Sequence, residues 1–378
     1  RHDDVVIELA LDRGKISATP LAGDPSPVTQ RICEMELERI EGASIDPLFD
    51  VAIAFAGELH LHPEIASKAE RGYALARGVP CCPVKGFGVP LSRGMAPVEA
   101  FRRIASACLA QLQRNEAGAI AGEDPEFIHQ ARVAIRRLRS AFQVFAPVLS
   151  ADFVATYSPR WKELACQLGG ARDWDVFLAE TLSPLELAFP GNPDLAKLRS
   201  LATERRLAAG NHAAKALTQP EYSQLLLAFS AALMRETPPT IALRGAGSPE
   251  GKLHQFAARR LRRRWVRIES LLHGLGHMEA ERCHCLRIEF KKLRYALEFF
   301  APILPGKRLT RYLSILARIQ DLLGTLNDQA TALRFVRTLH PDNPPDSLLG
   351  GWLAGRTQLL LSTLASELKL SAASRKPW

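Results

Sequence analysis

Two hydrophobic rhythms divide the chain. Near its start, "DVVIELALDRG" (4–14) and "ICEMELERI" (32–40) alternate apolar and polar residues with the period of two that predicts strands. "DPLFDVAIAFAGEL" (46–59) then places Asp46 at an N-cap, Pro47 at the first helical position and helical periodicity after them. Residues 76–97 are dense in glycine and proline and read as a linker. From about residue 98 almost every segment has the 3.6-residue period of a helix, as in "ATERRLAAGNHAAKAL" (202–217) and "GGWLAGRTQLLLSTLASEL" (350–368). Breaks are expected at 183–194, 236–251 and 340–347, where proline and glycine gather. The fold class is therefore mainly α, a helical bundle joined by short turns, behind a small α+β N-terminal region.

The helical part repeats itself. "HQARVAIRRLRSAFQVFAPVL" begins at His129 and "HCLRIEFKKLRYALEFFAPIL" at His284, an offset of 155 residues. That offset pairs Arg132 with Arg287, Arg136 with Lys291, Arg137 with Lys292 and Arg139 with Arg294. Without a gap it goes on to match "LGGARD" (168–173) with "LGTLND" (323–328), hence Asp173 with Asp328. Register held over such a length indicates two homologous halves related by a pseudo-twofold.

At about 100° per residue, His129, Arg132, Arg136 and Arg139 form one stripe. Ala131, Ile135, Leu138, Phe142 and Phe145 fall on the adjoining arc and are expected to face a core. In the second copy His284, Arg287, Lys291 and Arg294 form the stripe, beside Leu286, Phe290, Leu293, Leu297 and Phe300. Arg137 and Lys292 sit apart from their stripes.

A charge run is most often a solvated face, and Glu298 extends the second stripe in that direction. The first stripe, however, has no acidic residue from His129 to Arg139, so its i,i+3 and i,i+4 neighbours repel. Arginine forks suit phosphate oxygens, and a bound polyanion would stabilise such a stripe. His129 to Arg139 spans roughly 15 Å of helix, room for several phosphates in a row. A third basic helix, "HQFAARRLRRRWVRIESLL" (254–272), offers Arg260, Arg263, Arg264 and Arg267 on one face. The stripes carry no aromatic platform for bases beyond Tyr295, which favours inorganic polyphosphate over nucleic acid as partner; nucleic acid stays open through the same backbone contacts.

Net charge is +9 with pI near 9.3, and hydrophobic residues make up 47% of the 378, so the chain is globular and modestly basic. Seven irregularly spaced cysteines read as free thiols of a reducing compartment, and Cys283-His284-Cys285 is a weak metal pattern. No run of 18 apolar residues exists, so no membrane partner or span is expected. An opening without methionine or signal peptide reads as a domain cut from a longer protein, with the cytoplasm as its place. Protein partners are not legible.

The histidine-led motifs resemble the CHAD family, the conserved-histidine α-helical domain. Its pattern, a histidine with "xxRxxxRRLR" in one half and "xxRxxxKKLRY" in the other, each followed by "LG..RD" or "LG.LND", covers about residues 98–370. The resemblance implies two four-helix bundles (98–235 and 252–378, joined by 236–251) that bind inorganic polyphosphate, associate with polyphosphate granules, and use neither catalysis nor a cofactor. Residues 1–75, through "IELALDRG", "ICEMELE" and "SKAERGY", resemble the C-terminal half of a CYTH domain, the triphosphate tunnel fold. That resemblance implies metal binding (Mg²⁺) at Glu34, Glu36 and Glu38 and phosphate contacts from Lys68 and Arg71. The family's ExExK signature is absent from this chain, so metal-dependent triphosphatase activity is expected only of a longer protein.

Overall fold

The structure, a computed structural model, describes residues 4–21, 26–78, 82–234, 251–272, 280–339 and 348–378. In chain order the elements are β1 (Val6–Ala18), β2 (Val28–Glu41), α1 (Asp46–Glu58), α2 (Lys68–Arg77), α3 (Pro97–Ala121) and α4 (Pro125–Phe145). There follow α5 (Ala151–Gln167), α6 (Gly169–Val176), α7 (Ser183–Ala188), α8 (Pro193–Thr218), α9 (Pro220–Met234), α10 (Leu253–Leu272), α11 (Ala280–Phe300), α12 (Gly306–Leu339) and α13 (Leu348–Ala373). Two compact units emerge: residues 1–86, 106–135 and 214–239, and residues 87–105, 136–213 and 240–378.

In the first unit β1 and β2 form an antiparallel hairpin whose register sets Leu9 opposite Leu37 and Asp12 opposite Glu34. The capping box of Ser67 and Glu70 starts α2, and Gly78 ends it in a left-handed conformation at φ 57°. Helix α1 lies against α9, where Gly57 allows close approach: a Cβ there would stand 2.3 Å from Gln224 Nε2. The side chain of Asn115, fully buried, binds both the N–H and the carbonyl of Val84 at 2.9 Å, tying the linker to α3. The buried Glu116 accepts from His62 Nε2 at 2.5 Å and from the hydroxyl of Tyr222.

The second unit contains both ends of the repeat. Helix α4 ends in a 3₁₀ turn at Ala146–Val148, and α11 ends in one at Ala301–Ile303. Both helices and both turns keep the 155-residue offset to the residue. The Phe-Ala-Pro segment causes it: proline lacks the N–H needed to continue the helix, and the phenylalanine before it anchors the end. Phe145 and Phe300 are fully buried and pack together with ring centroids 5.8 Å apart; Phe256 stacks on Phe145 at 5.3 Å. Ala131, Ile135, Leu138 and Phe142 of the first copy, and Leu286, Phe290, Leu293 and Leu297 of the second, are buried as their wheel positions require. Helices α10, α11, α12 and α13 pack in sequence order. A separate core joins Phe177, Leu182 and Leu198 to Val336 and Leu353, with Trp174 stacked on Phe335 at 3.7 Å.

One expected break is corrected. Ser183–Ala188 is helical, and the chain leaves the helix only after it, with Gly191 at φ 77° in the turn. Pro184 is accommodated because it begins α7, directly after a π-helical turn at Phe177–Leu182. The Ser183 hydroxyl donates to Leu178 O, and Arg199 holds Glu186 through both carboxylate oxygens. The helix at 46–59 begins one residue earlier than expected, with Ile45 at the cap and Asp46 inside. The breaks at 236–251 and 340–347 lie almost wholly outside the described residues.

Candidate functional site: a basic cluster on the repeated helices

Within the second unit the two copies meet through their cationic side chains. Arg136 Nε donates to the Tyr295 hydroxyl at 2.6 Å, and its guanidinium lies 5.8 Å from the centre of that ring. Tyr295 is nearly buried, so its oxygen is a fixed acceptor and not a mobile surface group. The counterpart of Tyr295 in the first copy is Ser140, whose hydroxyl turns back to Arg136 O in the preceding helical turn. The two halves are thus chemically unequal here.

Arg287 stands in the same electrostatic surroundings as Arg136. Burial pushes its guanidinium below the ordinary arginine range and Arg136 adds to that; Asp328 and Asp173 pull the other way without reversing it. Its Nε is buried and has no hydrogen-bond partner among the described residues. The aspartates of the two matched "LG" segments therefore offset this positive cluster only in part.

Other predicted cations are taken up by the protein itself. Glu289, 4% exposed, accepts from Arg264 Nη1 at 2.8 Å and from Lys292 Nζ at 3.0 Å, with Arg267 Nε at 3.4 Å. Burial raises the Glu289 carboxyl, but the bonds from Arg264 and Lys292 outweigh it and hold the group below the usual range. Arg264 and Lys292 are thus committed to an internal ion cluster. Arg294 donates to Glu298 at 2.7 Å and to Gln320 at 3.0 Å. Arg260 donates to Gln143 O at 2.8 Å; burial, then Arg264 and Arg263, push it down.

His284 is exposed, and its Nδ1 donates to Asn327 Oδ1 at 3.2 Å, which leaves Nε2 directed away from that bond. Asn327 in turn donates to Asp328 at 3.3 Å. Arg139 and Lys291 are half-buried, and Arg137 is buried. His129 and Arg132 fall in the first unit, both half-buried. The structure therefore brings together Arg136, Arg287 and Tyr295, and the sequence reading did not place Tyr295, Asp173, Asp328, Asn327 or Glu289 in the site.

At the N-terminal hairpin, Arg71 Nη2 lies 2.5 Å from Glu34, and Lys68 bridges Glu36, at 2.7 Å, and Asp12. Those pairs raise the Lys68 ammonium above its usual value, first through Asp12 and then through Glu36. Glu34, Glu36, Lys68 and Arg71 line a groove of about 930 Å³ in the first unit. Of the three carboxylates expected to hold Mg²⁺, Glu34 pairs with Arg71 and Glu36 with Lys68. Among the described residues no group of three histidine, cysteine, aspartate or glutamate side chains could hold a metal ion. The six described cysteines form no disulfide with one another. No helix among the described residues is long and apolar enough to cross a membrane.

Known proteins share the helical architecture. The family model described as "CHAD domain" matches residues 103–337, spanning both basic helices. The crystal structure of the CHAD domain from the plant Ricinus communis is 32% identical, with a TM-score of 0.63, covering 79% of this chain and 99% of that one. PptA from Streptomyces chartreusis aligns at 16% identity and a TM-score of 0.48, over 73% of this chain and 96% of its own. No curated protein matches the chain. With a family model spanning well over half of its length and a solved relative matched almost end to end, the chain belongs to the CHAD domain family.

Proposed function

We propose that the helical part binds inorganic polyphosphate along the paired basic helices, α4 and α11. The observation that carries this reading is the joint placement of Arg136 and Arg287. Two guanidinium groups from equivalent helices share one partly buried environment, burial depresses Arg287, and its Nε lacks an acceptor among the described residues. A desolvated cation whose neighbouring like charge is only partly offset is unfavourable until an anion lies close to it. Phosphate oxygens accept in the geometry an arginine fork offers.

A run of phosphates suits the site better than a single one, because His284, Arg287 and Lys291 lie along successive turns of α11, with Arg294 beyond them held by Glu298 and Gln320. Lys292, Arg264 and Arg260 are assigned lesser parts, as their donors are engaged by Glu289 and Gln143. Nucleic acid is the weaker alternative. Tyr295, the aromatic side chain beside the stripe, is nearly buried and bound by Arg136, so it offers no face on which a base could stack. Competition between long-chain polyphosphate and single-stranded RNA tests this reading: polyphosphate should displace RNA, and the reverse order would overturn it.

Triphosphatase activity of the N-terminal region is a separate proposal. It requires Glu34 and Glu36 to exchange Arg71 and Lys68 for a metal ion. Mg²⁺-dependent release of phosphate from tripolyphosphate is its test. Cytoplasmic residence and attachment to polyphosphate granules would follow from polyphosphate binding, and imaging of the tagged chain beside stained granules tests them.

A further inference from the structure

A hollow of about 230 Å³ lies in the second unit where α11, α12 and α13 meet. Leu323, Leu326, Leu333 and Leu361 form most of its wall. Its rim is polar and open: His284 is exposed, while Asn327 and Thr357 are half-buried. An apolar interior behind a polar mouth calls for a ligand with two unlike ends.

Of these rim side chains, two are already engaged. The Thr357 hydroxyl donates to Gln329 Oε1 at 2.7 Å, with Leu353 O also within reach at 2.8 Å. Asn327 donates its amide to Asp328 at 3.3 Å and turns its oxygen to His284 Nδ1 at 3.2 Å. That orientation puts a proton on Nδ1, so Nε2 is the nitrogen of this exposed ring that the bond leaves unengaged. Nε2 accepts when the ring is neutral and donates when it is protonated, and an anion beside it favours the protonated form. The neighbouring charge favours an anion as well. Arg287 and Lys291 follow His284 on the same stripe of α11, opposed by Asp328, which accepts from Asn327. At the 155-residue offset, Leu326 and Asn327 correspond to Ala171 and Arg172, so the first copy lacks both the leucine and the amide.

We propose that this hollow binds a medium-chain aliphatic carboxylate, its tail among the leucines and its head at His284. Benzene, with its six carbons, occupies a cavity of about 150 Å³, so the space here takes a tail of about six to nine carbons. Each CH₂ that enters should strengthen binding about fourfold. A longer tail leaves its excess in water, and the gain ends there.

The test titrates the full chain by calorimetry with even-numbered carboxylates from butanoate to dodecanoate, and with octanamide as the neutral counterpart of octanoate. Binding should be saturable and should tighten about fourfold per CH₂, with dodecanoate no tighter than decanoate. His284→Phe should lower the octanoate-to-octanamide affinity ratio about tenfold, the value of a hydrogen bond to a charged group. Leu361→Trp, or Ala330→Phe should the first not fold, narrows the hollow and should abolish octanoate binding. Absence of saturable binding, or an affinity that climbs undiminished to dodecanoate as adsorption on any apolar surface does, would overturn the proposal. So would a ratio unchanged in His284→Phe, or full binding to a folded narrowed variant. No polyphosphate is present in the titration, so its result stands apart from the function proposed above.

Discussion

Arg136 Nε donates to the Tyr295 hydroxyl across 2.6 Å, a bond that joins the first copy of the repeated helix to the second. It fixes the direction of a guanidinium that would otherwise swing on a flexible stem. Tyr295→Phe keeps the ring and its packing and removes only this acceptor. The expected outcome is an unchanged melting temperature within a few degrees and polyphosphate affinity weaker by about fivefold, read by calorimetry on the two proteins.

Arg287 gives the opposite balance. Its burial and its unmatched Nε oppose folding when no anion is bound. Arg287→Leu should therefore raise stability in the ligand-free chain by about 1 kcal/mol, since replacing a poorly compensated buried charge with an apolar side chain is often stabilising. The same variant should bind polyphosphate less tightly. Urea unfolding of both chains with and without polyphosphate measures the two effects together.

Glu289 holds Arg264 and Lys292 at an interior position. Glu289→Ala leaves those two cations near one another without their counterion, and a loss of about 3 kcal/mol is expected. Lys292→Ala should change polyphosphate affinity far less than Arg136→Ala does. Equal losses for the two would mean that Lys292 is released from Glu289 to meet the ligand.

How much of this was legible beforehand depended on range along the chain. The repeat, the buried arc of each basic helix and the shared helix ends at Phe145 and Phe300 follow from periodicity and from the Phe-Ala-Pro segment, all local signals. The helical turn after Pro184 did not, because a proline reads as a break unless a π turn has already ended the helix before it. Glu289 is the clearest failure. Its nearest cation, Lys292, lies three residues away and is visible in the sequence, but Arg264 arrives from another helix, and only packing of α10 on α11 shows that one carboxylate serves both. Ala134 occupies the same position in the first copy, so the repeat itself gave no warning.

The pairing of His62 with Glu116 makes the first unit sensitive to pH. The hydrogen bond to Glu116 raises the His62 imidazolium above 6.5, outweighing burial, and burial raises the Glu116 carboxyl despite that bond. Both shifts have the same sign: the folded state binds protons more tightly than the unfolded chain. The His62 contribution is fully present below pH 6.5 and is lost as pH rises through its raised value. The melting temperature should accordingly decline as the pH rises above 6.5 and through the raised His62 value. His62→Gln should flatten that decline; an equal slope in the variant would assign the pH dependence to other groups.

The account rests most heavily on Arg136 and Arg287 acting together on one phosphate chain. Long-chain polyphosphate titrated into the wild-type chain and into the Arg136→Ala, Arg287→Ala double variant, each at low and at high salt, tests this directly. Saturable wild-type binding that weakens steeply with salt, and a loss of at least about tenfold in a folded double variant, is the predicted result. Equal affinity of the two proteins, or no binding by the wild-type chain at low salt, would contradict it.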